Sequence, residues 1–171
     1  DRNPRQGTND TEVWRAMAAG IAEGLGGNNK AMMTFHPQPN KDGASEWFHN
    51  DEWLDFNMFQ TGHCRDTSVF DNIQGSYDRA MIKPVLNGEP IYEDHPVCFN
   101  AADLGISNAY DVRKAAYLSL FAGAFGHTYG CHDIWQMYTQ GKAAVNGAAM
   151  DWKLALDLPG AGQMQHVRNL M

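Results

Sequence analysis

Apolar positions recur along the chain with two rhythms, and each predicts an element. Val13, Met17, Ile21 and Leu25 return every fourth residue behind Asn9 and Glu12, which are spaced as a capping box. That pattern predicts an amphipathic helix stopped by Gly26-Gly27. Residues 31–36 form a short apolar run halted by Pro37 and read as a buried strand ending in His36. Trp47, Phe48 and Trp53 lie in the polar loop beyond it. Large apolar side chains alternate with Asp55 and Asn57 through residues 54–60, a strand with one polar face that ends before Thr61-Gly62-His63. Val69, Ile73 and Tyr77 mark a helix, and residues 83–90 a strand closed by Pro90.

Further on, Asn108 and Asp111 are placed to cap a helix over residues 112–124, whose few polar interruptions suit packing against a sheet. A strand is predicted over 125–130, a loop follows through Cys131 to Gln136, and closing helices over 152–158 and 163–170 are separated by Pro159-Gly160. Strands alternating with helices imply an α/β fold with a parallel sheet. In such units functional groups gather at the C-terminal ends of strands. Here those ends carry His36, Gln60 with His63, Glu89, and His127 with Tyr129. Pattern alone leaves two architectures open, half of a (β/α)8 barrel, which needs about 250 residues in full, or an open doubly wound sheet.

Composition narrows the partners. In 171 residues the net charge is -7, which argues against a phosphate-binding surface and hence against nucleic acid. No apolar run approaches the roughly 18 residues of a membrane span. Neither a dinucleotide-binding nor a phosphate-loop glycine motif is present. Cys64, Cys98 and Cys131 are widely separated, with no C-x-x-C spacing, and suggest neither a disulfide framework nor a cysteine zinc site. The opening Asp1-Arg2-Asn3-Pro4 has no Met and no leader pattern, and reads as the interior of a longer protein.

Five stretches carry a resemblance. They are Asp1-Arg2-Asn3-Pro4, Trp47-Phe48-His49, residues 53–58, residues 83–96 with their Lys83-Pro84-Val85-Leu86-Asn87-Gly88-Glu89-Pro90 core, and residues 121–130. Through them nearly the whole chain resembles the apiosidase-like family of glycoside hydrolases. The resemblance implies a (β/α)8 barrel in which this chain runs from the end of strand four through helix eight, with strands one to three lying outside it. It also implies an acid/base at Asp1 and a nucleophile at Glu89. The substrate it implies is a plant-type polysaccharide or pectic side chain, with an apioside among the candidates, and such enzymes are commonly secreted or periplasmic. It implies no cofactor and no metal.

The residue types suit that chemistry. Glycoside hydrolysis needs one carboxyl held protonated for the leaving oxygen and a second ionised against an oxocarbenium-like carbon, about 5–5.5 Å apart for retention or about 6.5–9.5 Å for inversion. Pro90 ends the strand behind Glu89 and Gly88 permits an unusual turn before it. His36, Asn57, Gln60, His63, Tyr92, His127, Tyr129 and Trp135 offer amides and imidazoles for hydroxyls and aromatic faces for sugar C–H bonds. Glu93, Asp94 and His95 read as organisers of the following loop. Two rivals remain at this stage: a metal-dependent amidohydrolase barrel ligated by His36, His63 and Asp133, and a non-catalytic carbohydrate-binding protein.

Overall fold

A computed structural model describes residues 2–27 and 31–171. Its elements, in chain order, are α1 (Asp10–Leu25), α2 (Ser45–Phe48), β1 (Asn57–Gln60), α3 (Val69–Tyr77), β2 (Val85–Glu89), a 3-10 turn (Val97–Phe99), α4 (Ala101–Leu104), α5 (Ala109–Phe121), β3 (Gly126–His127), α6 (His132–Trp135), α7 (Trp152–Ala155) and α8 (Pro159–Leu170). The three strands form one parallel sheet in the order β1-β2-β3. The α/β expectation therefore holds. Among the described residues, no helix is long and apolar enough to cross a membrane.

Apolar residues of β1 and β2 set the main core. Phe59, Val69, Ile73, Val85, Ala122 and Ala124 pack together, which places α3 and the end of α5 on one face of the sheet. Asn87 faces the same way, its amide donating to Ser119 Oγ of α5 at 2.9 Å and to Thr61 Oγ1 at 3.1 Å. A second, aromatic cluster holds Phe35, Ala44, Phe48 and Leu54 under Trp14, Trp47 and Trp53. The tryptophans of the predicted polar loop thus pack rather than project. Asn108 and Asp111 cap α5 as expected: Asn108 Oδ1 accepts the Tyr110 N–H and the Asp111 carboxylate the Asn108 N–H, both at 2.9 Å.

Several sequence expectations give way to local chemistry. Residues 31–36 run extended beside the start of β1 but enter no ladder. The Asp55 carboxylate takes the Met33 N–H at 2.6 Å and the Thr34 hydroxyl donates to Phe56 O at 2.6 Å, so side chains occupy the groups a ladder would use. Asn9 makes no side-chain cap, and the first turn of α1 is held instead by Arg5, which forks onto Asp10. The stripe Val13, Met17, Ile21 and Leu25 stays about half exposed, whereas Ala18 and Ala22 are buried. β3 is shorter than predicted, and α8 starts at Pro159 because proline suits a first helical position. Most consequential, Cys64 and Cys98 form a disulfide. Their 34-residue separation concealed a pairing made by the loops that leave β1 and β2.

Candidate active site

One irregularity in the sheet places the central carboxylate. β1 and β2 pair Met58 with Leu86 and Phe59 with Asn87, then shift so that Gln60 pairs with Glu89. Gly88 is the extra residue of a bulge. Strict alternation would send Glu89 to the helix side with Val85 and Asn87, and the bulge turns it to the face of Met58 and Gln60. A Cβ at Gly88 would press on the Met58 side chain, so the glycine lets Met58 lie against the bulge.

Three side chains meet the Glu89 carboxylate. Gln60 Nε2 donates to Oε1 at 2.7 Å, His63 Nε2 lies 3.4 Å from Oε1, and His36 Nε2 lies 3.0 Å from Oε2. Burial pushes the Glu89 carboxyl up, but hydrogen bonds and charge from His36 and His63 outweigh it and hold the group down at about 2. Glu89 is therefore a half-buried, firmly ionised carboxylate at a strand end. Tyr92 stands close by, its phenol raised to about 12 by burial and by the charge of Glu89.

Behind His63 runs a row of rings that the sequence pattern did not reveal. His95 stacks on His63 with centroids 4.2 Å apart, and His132 meets His95 edge-on at 4.3 Å. The His95 Nδ1–H donates to the Pro96 carbonyl at 2.7 Å, and burial, followed by the neighbouring charge of His63, lowers the group to about 4. It is neutral at physiological pH. His132 donates from Nε2 to the Val145 carbonyl at 3.0 Å and accepts the Trp135 indole N–H at Nδ1 at 3.2 Å. The Cys98 N–H donates to the His63 carbonyl at 2.9 Å, so the disulfide loop grips the residue that touches Glu89.

Of the residues expected to bind substrate, His36, Gln60, His63 and Tyr92 gather around Glu89, and Trp135 caps the far end of the ring row. Asn57 does not join them. It begins β1 at the opposite end of the strand, fully buried, and its amide donates at 3.0 Å to His49 Nδ1, while His49 Nε2–H donates to Ala80 O. His127 pairs with Asn87 in the sheet register and so faces the helices. Burial lowers it to about 4, and among the described residues neither ring nitrogen finds a partner. Tyr129 donates its hydroxyl to Glu93 Oε2 at 2.7 Å, and Glu93 Oε1 accepts the Gly160 N–H of α8 at 3.1 Å. That partly buried triad docks α8. Asp1 lies outside the described residues.

Glu93, Asp94 and His95 do organise the loop, as expected, and Asp94 does so beside Asp133. Burial and then a hydrogen bond to Asp133 raise Asp94 to about 6. Asp133 is itself committed, its Oδ1 accepting the N–H groups of Ala149 and Met150 at 3.1 and 3.0 Å. Among the described residues, His36, His63 and Asp133 do not come within ligand distance of one another. The one acidic and sulfur group that does, Cys64, Asp66 and Cys98, has both sulfurs in the disulfide. Among the described residues the amidohydrolase reading finds no cluster formed by these three side chains.

The family described as Apiosidase-like, catalytic domain, matches residues 1–171. A solved structure described as a glycoside hydrolase is 37% identical, with a TM-score of 0.85 over 94% of this chain and 39% of its own. A glycoside hydrolase family 5 from Bacteroides vulgatus ATCC 8482 is 40% identical, with a TM-score of 0.86 over 96% of this chain and 38% of its own. The chain thus spans about two fifths of the length of these structures. No curated protein matches it.

Proposed function

The chain belongs to the apiosidase-like catalytic domain family, and from that premise we propose that it is the nucleophile-bearing part of a glycosidase. The observation that carries the reading is Glu89: an ionised carboxylate, turned to the open face of the sheet by a bulge and gripped by Gln60, His36 and His63. A group that must meet positive charge at an anomeric carbon has to stay ionised, and this one does. Gln60 and His63 occupy Oε1, leaving Oε2, beside the partly exposed His36, as the attacking oxygen.

In the proposed reaction Oε2 bonds to the anomeric carbon as the glycosidic C–O bond breaks, and the acid gives its proton to the departing oxygen. Water then cleaves the glycosyl–carboxylate bond and returns a proton to the acid. The family pattern assigns that acid to Asp1. In support, Asn3 Oδ1 accepts the Gln38 N–H at 2.9 Å, which ties the residues just after Asp1 to the segment bearing His36. We read the three parallel strands as a sector of a (β/α)8 barrel, in keeping with the TM-scores and with the part-length match. The substrate proposed is a pectic side chain, with an apioside as the first candidate. Export from the cytoplasm is also proposed, and the Cys64–Cys98 disulfide supports an oxidising compartment.

Sugar release from a panel of pectic oligosaccharides by the native full-length protein tests the reading. Wild type should release sugar, and Glu89→Gln should release it at least about a hundredfold more slowly. Equal release by both would remove Glu89 from the chemistry. A carbohydrate-binding protein without turnover would release nothing in either form.

A further inference from the structure

Phe99 is a large apolar side chain left 61% exposed on the loop after β2. Its ring stands edge-on to His95, with centroids 5.0 Å apart, and to His63, at 5.8 Å. His63 in turn reaches Glu89, so only one side chain separates the exposed ring from the carboxylate. The two imidazoles pack against the ring at right angles, and most of the residue stays exposed among the described residues.

The backbone beneath it is strained. Cys98 has φ of 50° and Phe99 of 62°, two successive non-glycine residues in the left-handed region. A bulky residue there is an outlier that persists only where its surroundings impose it. The surroundings here are explicit: the Phe99 N–H donates to Pro96 O and the Cys98 N–H to His63 O, both at 2.9 Å, the Val97 N–H donates to Gly105 O at 3.0 Å, and the disulfide anchors Cys98 to the β1 loop. Strain of this kind clusters at active sites and ligand clamps, and here it carries a ring left largely exposed.

We infer that Phe99 is a substrate-stacking and specificity-determining residue, an aromatic platform for the apolar C–H face of a sugar ring adjoining the bond that is cleaved. The inference rests on the glycosidase reading of Glu89 but adds to it a second ring subsite, built by the Cys64–Cys98 loop. Aromatic faces pair with sugar rings on the side that carries C–H bonds, and the nearby imidazoles supply partners for hydroxyls at its rim.

The test uses the native full-length protein with an apiose-bearing pectic oligosaccharide and, separately, the methyl glycoside of the sugar released from it. Phe99→Gly removes the ring and suits the positive φ, so the variant should melt no lower than wild type. It should raise KM for the oligosaccharide by about threefold to tenfold with kcat within about twofold, and leave the methyl glycoside, which has no second ring, unaffected. Phe99→Tyr should restore the wild-type KM. An unchanged oligosaccharide KM in Phe99→Gly, or an equal rise with both substrates, overturns the inference. Calorimetric titration of the oligosaccharide into Glu89→Gln with and without Phe99→Gly separates the two claims. A threefold to tenfold loss of affinity supports the platform even if Glu89→Gln still turns over, an outcome that would sink the glycosidase reading alone. Unchanged affinity sinks the platform alone.

Discussion

Tyr129→Phe deletes one hydroxyl and asks whether Tyr129 holds α8 or meets substrate. The hydroxyl donates at 2.7 Å to Glu93 Oε2, and Glu93 is 2% exposed. The same carboxylate accepts the Gly160 N–H, and a side chain at Gly160 would collide with it. Deleting a hydrogen bond to a charged, buried acceptor costs about 1.5–3 kcal/mol. Urea denaturation of the native full-length protein should therefore show a lower midpoint at unchanged slope, and kcat/KM should stay within about twofold of wild type. In a double-mutant cycle with Glu93→Gln the two changes should couple by at least about 1 kcal/mol. A coupling near zero together with a raised KM would refute the reasoning and return Tyr129 to the substrate.

Three further outcomes follow from the same geometry. Glu89 is lowered to about 2 from an ordinary value of 4.5, so its contribution to stability is present above the ordinary range and lost as pH falls towards 2. The acid limb of kcat/KM should accordingly lie below about pH 3 if Glu89 sets it, and His63→Phe, which removes one of the two stabilising imidazoles, should move that limb upward. Asp94 is raised to about 6, the opposite sense: its cost grows as pH rises from the ordinary carboxylate range through 6. Asp94→Asn should thus stabilise the protein by about 1–2 kcal/mol at pH 7 and by nothing measurable below pH 4, read from denaturation at the two pH values. Replacing Cys64 and Cys98 by serine opens a loop of 34-residue separation and should cost about 3–4 kcal/mol, measured as the difference between oxidised wild type and the double variant.

Much of this arrangement was legible from local patterns. The spacing of Val69, Ile73 and Tyr77, the Asn108 and Asp111 cap, and a strand ending at Glu89 all appear where periodicity and turn chemistry put them. What escaped depends on contacts between distant segments. Which face a strand residue takes follows from register, and the bulge at Gly88 reverses the parity that pattern alone assigns to Glu89. His127 and Tyr129 sit at a strand end, yet His127 takes the helix-facing side by register with Asn87 and Tyr129 bonds to the Glu93 that holds α8. Residues 31–36 carry a strand's composition, but the bonds that would make them one go to Asp55 and Thr34 side chains. The disulfide, the His95 and His132 rings and the strained turn at Phe99 leave no periodic signal, since each exists only once the loops after β1, β2 and β3 have met.

Glu89→Gln, assayed for turnover and for binding side by side in the native full-length protein, decides whether Glu89 is the nucleophile. The amide keeps the shape of the carboxyl and can still face Gln60 and the imidazoles, but it cannot bond to the anomeric carbon as an anion. Turnover of the pectic oligosaccharide reduced by at least about a hundredfold, with Kd within about threefold of the KM of wild type, is the predicted result. Turnover at the wild-type rate would contradict the account and move the chemistry away from the carboxylate that the bulge presents.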